Sequence, residues 1–208
     1  MVQLLQAQAV TLRDLIDNFG LAEVQSRSFF AEWQQNLPEL TEFEIQYLDK
    51  VKAGYLNLRD ALPVLERPVQ MVIVAPLLFL ADFYLPPFQV KTERSIEISE
   101  QDEGIVIRGT LDIVILKNNF WLLIIESKRL SFSFSLEVGL AQLLSYMIAS
   151  FQPERPSYGL LTNGGDFMFV KLIRGETWQY ATSDQFATRN QTNSLYDAFR
   201  ILKRIGQL

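Results

Sequence analysis

The sequence predicts a mixed fold, on the border of α+β and α/β, and three observations predict it. Apolar residues recur at helical spacing from the start of the chain to Tyr84. The pattern then changes to runs of period two between Phe88 and Lys128. Helical spacing returns over 135–151, ahead of two more strand-like runs and a closing helix.

Residues 1–60 read as an N-terminal helical extension and residues 61–208 as the core domain. "VTLRDLIDNFG" has helical spacing and stops at Gly20, a C-terminal cap. Residues 21–38 predict a second helix ended by Pro38. Thr41 and Glu44 form a capping-box pattern ahead of a third helix, whose apolar stripe is Phe43, Tyr47, Leu48 and Val51. Residues 62–84 predict one long or broken helix, with Pro63 and Pro68 at its start and Pro76 at a kink. An antiparallel meander follows: "FQVKTERSIEI", "GIVIRGTLDIVIL" and "FWLLIIESK", with turn chemistry at 99–104 and 117–119. "SYGLLTNGGDFMFVKLI" predicts two strands joined at Asn163–Asp166, and Ser194 a cap for the last helix. Apolar residues at alternate positions of the strands predict helices on both sheet faces.

Composition narrows the chemistry. The 208 residues include no cysteine and no histidine. That excludes disulfides, thiolate or imidazole zinc sites, and triads or general bases built on histidine. A metal would be a hard cation held by oxygens. The net charge of −5 argues against a generally basic nucleic-acid surface, though not against a local one. A cytoplasmic location is expected from the absence of cysteine; no signal-peptide pattern opens the chain, and the most apolar run, 72–81, is too short to span a membrane.

"RGTLDIVILKNNFWLLIIESKRL", residues 108–130, places charge at the edge of the most apolar part of the chain. Alternation puts Glu126 and Lys128 on one strand face and Ser127 on the other. A hairpin with an odd turn or a bulge sets Asp112 opposite Glu126; a plain two-residue loop at Asn118-Asn119 would pair Asp112 with Ile125. Two adjacent carboxylates repel unless a cation lies between them, and a divalent metal prefers such oxygens. A nearby lysine can position a water and offset phosphate charge, which suits metal-assisted hydrolysis of a phosphodiester. The plainer alternative is an ion pair between Lys128 and one carboxylate.

This D…ExK spacing, within a helix–meander–helix–strand order, resembles the PD-(D/E)xK nuclease superfamily, which includes restriction endonucleases. Asp112, Glu126 and Lys128 match its motif, with Leu111 standing where the motif has proline. "QLLSY" resembles the Q-x-x-x-Y motif of RecB-type nucleases, through Gln142 and Tyr146. "GLLTNG" resembles the N-terminal nuclease domain of type I restriction enzyme R subunits. The resemblance covers residues 62–173 and implies a restriction endonuclease-like core. It implies a magnesium (or manganese) ion held by Asp112, Glu126 and the Ser127 carbonyl, with Lys128 positioning water. It further implies that Gln142 orients the lysine or a phosphate, that Tyr146 supports it, and that Glu66 on the preceding helix adds an acid, with Glu93 and Glu97 in competition. DNA is the expected substrate, with a homodimer or partner subunit compatible and no membrane partner. The other class of function open to the chain is a nuclease fold kept as a binding or assembly module without turnover. Lys171 and Arg174 lie on a nearby predicted strand, and Arg200, Lys203 and Arg204 on the last helix read as solvated, dipole-complementing cations or as a basic patch.

Overall fold

The computed structural model describes residues 3–60, 65–100, 105–118, 120–128, 136–152 and 155–208. Expectations for Pro63, Asn119, and the 101–104 turn lie outside these residues, as does the side chain of Glu97.

The fold is mixed α and β, with a largely antiparallel sheet covered by helices on both faces. Its strands are β1 (Gln3–Gln6), β2 (Ala22–Glu23), β3 (Phe88–Glu100), β4 (Ile105–Lys117), β5 (Phe120–Ser127), β6 (Ser157–Thr162), β7 (Asp166–Arg174), β8 (Trp178–Thr182) and β9 (Phe186–Ala187). The spatial order is β1-β4-β5-β6-β7-β8-β2, with β3 on the other edge of β4 and β9 against β7. The expected meander β3-β4-β5 is antiparallel. The expected helix α5 (Leu136–Ala149) then crosses over to β6, which lies parallel to β5. Such a crossover is what a parallel pair requires.

Alternation along the central strands separates two apolar layers. Val114, Leu116 and Ile124 pack with α5 and with α1 (Leu12–Phe19). Ile113, Ile115, Leu123 and Ile125 pack under α2 (Glu42–Asp60), α4 (Ala75–Leu80) and α6 (Leu195–Gln207).

The first sixty residues are helical only in part. α1 ends as expected at Gly20, whose φ of 64° is the left-handed cap. At α2, Thr41 and Glu44 exchange the expected bonds: Thr41 N–H donates to Glu44 Oε2 at 2.6 Å, and Glu44 N–H to Thr41 Oγ1 at 3.2 Å. Its stripe is corrected: Leu48, Val51 and Tyr55 are buried, whereas Phe43 is 67% exposed. The helix expected over 21–38 does not form. β2 joins β8 instead, Val24 N–H reaches Tyr180 O at 2.8 Å, and only a 3-10 turn, Ala31–Trp33, follows. β1 is a second departure, pairing in parallel with Ile105–Arg108 of β4. In both segments, hydrogen bonds to a distant strand outweigh a weak local helical preference.

The helix before the meander is bent rather than broken. α3 (Glu66–Val69) runs into a π-helical turn, Gln70–Val74, and then α4. Pro76 has no N–H to donate and its ring crowds the carbonyl of Val72, so a wider turn just before it relieves the clash. At α6, Ser194 makes no side-chain cap bond; Asn193 Oδ1 accepts from Leu195 N–H at 3.2 Å. Among the described residues, no helix is long and apolar enough to cross a membrane.

Candidate active site

The β4–β5 hairpin closes from Lys117↔Phe120, a two-residue connection whose first residue, Asn118, has φ 52°. Taken alone, that register would set Asp112 against Ile125. A bulge between Ile115 and Leu116 corrects it: the pairing passes from Leu116↔Trp121 to Ile115↔Leu123, with Leu122 the extra residue. Leu122 and Leu123 pack toward the same layer, so the alternation is reset. Beyond the last pair, Ile113↔Ile125, the register places Asp112 level with Glu126, which follows Ile124 of the α5 layer by two residues.

Asp112 sits where β4 changes partners. β1 pairs with Ile105–Arg108 and β5 with Ile113–Lys117, so Gly109–Asp112 lie between the two ladders. Side chains complete that interval. Ser127 donates to Asp112 Oδ2 twice, through its N–H at 2.8 Å and its hydroxyl at 2.7 Å. Tyr146 donates its hydroxyl to Thr110 O at 3.1 Å. Gly109 admits the tyrosine: a Cβ there would lie 2.6 Å from Tyr146 Cε1 and 2.7 Å from Ala7 Cβ.

α5 supplies the other wall. Lys128 Nζ donates to Glu126 Oε1 at 2.5 Å and to Gln142 Oε1 at 2.7 Å. Gln142 Nε2 donates to Glu126 Oε1 at 2.9 Å and to Tyr146 Oη at 2.8 Å. The four-residue spacing of Gln142 and Tyr146 puts both on one helix face, as the sequence predicts. Lys128 is anchored by its own N–H, bonded to Thr162 O at 2.8 Å.

The electrostatics are those of a crowded acidic pair. Glu126 is 2% exposed, and burial first, then the Asp112 charge, pushes its carboxyl up to about 7; Lys128 opposes this and Glu66 adds to it. Glu66 is exposed at the start of α3 and close enough for its charge to be felt. Burial likewise pushes the Tyr146 phenol up to about 12, keeping it a neutral donor. Glu126 Oε2 is buried with no hydrogen-bond partner. An orphaned carboxylate oxygen beside a second carboxylate fits a hard cation, and Asp112, Glu126 and the Ser127 carbonyl are oxygen donors of the right kind. Among the described residues, no group of three or more acidic side chains could hold a metal ion, so any such site would rest on two carboxylates.

The structure thus brings together Asp112, Glu126, Ser127, Lys128, Gln142 and Tyr146, with Glu66 at the margin. Glu93, also level with Asp112 on β3, is exposed with φ 52°. Three of the cations farther along are tied up in the fold rather than simply solvated: Lys171 pairs with Glu32 at 2.6 Å, Lys203 with Glu44 at 2.6 Å, and Arg200 donates to Pro38 O, while Arg174 is exposed. Three contributors escaped the sequence reading. Gly109 carries a signal, since a glycine inside a strand marks close approach. The Ser127 hydroxyl and Gln70 carry none, because their meeting brings together the π-helical turn and a strand end 57 residues apart. No protein-family model matches the chain, and no curated protein matches it in sequence.

Proposed function

We propose that the protein is a metal-dependent deoxyribonuclease of restriction endonuclease-like core, hydrolysing phosphodiester bonds through Asp112, Glu126 and Lys128. The observation that carries this reading is the pairing of a buried, partnerless Glu126 oxygen with an ammonium held beside it by Glu126 and Gln142. The succession of helix, antiparallel meander, crossover helix and parallel strand supports it.

Asp112, Glu126 and the Ser127 carbonyl would hold magnesium or manganese. When bound, the ion supplies a lowered water pKa and positive charge for the phosphoryl oxygens. Ser127 orients Asp112 by bonding one carboxylate oxygen twice. Gln142 fixes the lysine: its amide oxygen accepts from Lys128 while its nitrogen is turned to Glu126 and Tyr146. An ammonium has three donors, and two are engaged in this network. The third directs a water or a phosphate oxygen, and the positive charge offsets that of the developing phosphorane.

The second reading, a non-catalytic binding module, is favoured by the closed character of the Lys128–Glu126–Gln142 network and by the acidic balance of the chain. One experiment separates the two. Plasmid, linear duplex, single-stranded DNA and RNA are incubated with magnesium, manganese or calcium, and calorimetry follows metal uptake. Cleavage is expected with magnesium or manganese and poorly with calcium, which takes more ligands at longer distance. Lys128→Ala should abolish cleavage and retain metal binding; Asp112→Asn should weaken both. Equal cleavage by wild type and Lys128→Ala removes the mechanism. A wild-type chain that binds no metal and cuts nothing favours the binding module.

A further inference from the structure

Ser127 looks in two directions. Its N–H and hydroxyl face Asp112, and its hydroxyl oxygen also accepts from Gln70 Nε2 at 2.7 Å. Gln70 is the first residue of the π-helical turn, on the helix that carries Glu66. Such turns are frequent at functional sites, because they re-aim a side chain without ending the helix. A hydroxyl has one proton to give and lone pairs to receive. Gln70 donates into those lone pairs, so the Ser127 proton is committed to Asp112 Oδ2. Hydrogen bonds in such a chain reinforce one another.

The geometry points to Gln70 as a positioning residue: through Ser127 it fixes the orientation of the Asp112 carboxylate. Ser127 therefore contributes its side chain as well as its backbone to the site. The consequence for catalysis rests on the nuclease reading; the positioning itself does not. Gln70 touches neither Asp112 nor Lys128 in any bond described, and acts through the serine alone.

The donor relay is cut without removing bulk by Gln70→Met, and at its middle by Ser127→Ala. The first measurement is amide hydrogen exchange of the metal-free full chain. The Ser127 N–H should exchange about 10-fold faster in Gln70→Met, with the amides of Leu123 and Leu160 unchanged, because only the local opening is eased. In Ser127→Ala, adding Gln70→Met should change nothing at residue 127, since the relay is already broken. A Ser127 amide that exchanges at the wild-type rate in Gln70→Met overturns the proposal. So does a Gln70→Met effect that persists undiminished in the Ser127→Ala background. Manganese binding is the second measurement: loss of a supporting hydrogen bond should weaken it roughly 10- to 100-fold in Gln70→Met. Wild-type protein that takes up no manganese ends the nuclease reading, while the exchange result still decides the relay.

Discussion

Glu126 is a carboxylic acid whose surroundings favour the proton. Its ordinary value of 4.5 is raised to about 7. Between those two values the unfolded chain releases the proton and the folded chain keeps it. Stability therefore falls as pH rises from 4.5 to 7, by roughly 3 kcal/mol from this group. Glu32 and Glu44 act in the opposite sense. Lys171 and Lys203 hold their carboxyls below the usual range despite burial, so their contribution is lost as the pH falls below that range. Urea denaturation across pH should show greatest stability near pH 5, and in Glu126→Gln the decline toward neutrality should vanish. A second expectation concerns Gly109. A methyl group there meets Tyr146 and Ala7 well inside van der Waals contact. Gly109→Ala should cost about 1–3 kcal/mol, as overpacking does, and should weaken the Tyr146–Thr110 bond. Thermal melting reads the first effect, and the chemical shift of the tyrosine ring the second.

The β-bulge at Leu122 absorbs the one residue that would otherwise set Asp112 against Ile125. Because Leu122 and Leu123 share a face, removing Leu122 restores plain alternation and leaves Asp112 level with Glu126. Deletion of Leu122 should therefore keep the Ser127–Asp112 bonds at the loss of one half-buried leucine, about 1–2 kcal/mol. Insertion of one alanine between Ile124 and Ile125 should send Glu126 to the opposite layer. On the nuclease reading, it should remove metal binding even in protein that still folds. Calorimetry with manganese and a urea titration on both variants would test this; equal behaviour of the two would refute the role given to the bulge. The helix from Glu66 to Leu80 shows a related economy. Pro76 forbids regular winding, and the wider turn that accommodates it carries Gln70 to Ser127.

Across the molecule, the N-terminal segment is part of the architecture around the site. β1 takes the place beside β4 that β5 leaves, and Ala7, buried directly after β1, packs against Gly109. α2 and the segment before it are tied to α6 by Lys203–Glu44 and by Arg200 to the carbonyl of Pro38. Removing residues 1–9 should uncover the β4 edge at Ile107 and Leu111 and destabilise the whole chain by roughly 2–4 kcal/mol, a core-sized loss. Exchange of the Ser127 amide should rise with it, since the interval holding Asp112 loses one of its two flanking ladders. A truncated chain as stable as the full one, with that amide still protected, would show the segment to be dispensable.

The sequence by itself determined the elements whose stabilisation is local. Gly20 and the Thr41–Glu44 box set helix ends through backbone conformation and contacts three residues apart. Alternation of apolar residues set the meander and the two layers, and the four-residue spacing of Gln142 and Tyr146 set their shared face. It also showed which charged residues lie at the strand ends. What it left to the tertiary structure were β1 and β2, the choice of a bulge over an odd turn, and the meeting of Gln70 with Ser127. A strand of two to four residues has no periodicity to display, and it forms because a distant strand supplies the missing hydrogen bonds. The sequence poses the conflict between a two-residue turn and the pairing of Asp112 with Glu126, and the packed hairpin resolves it with the bulge. The site is therefore written in the sequence as residue types and spacing, while its alignment is fixed by contacts between residues far apart in the chain.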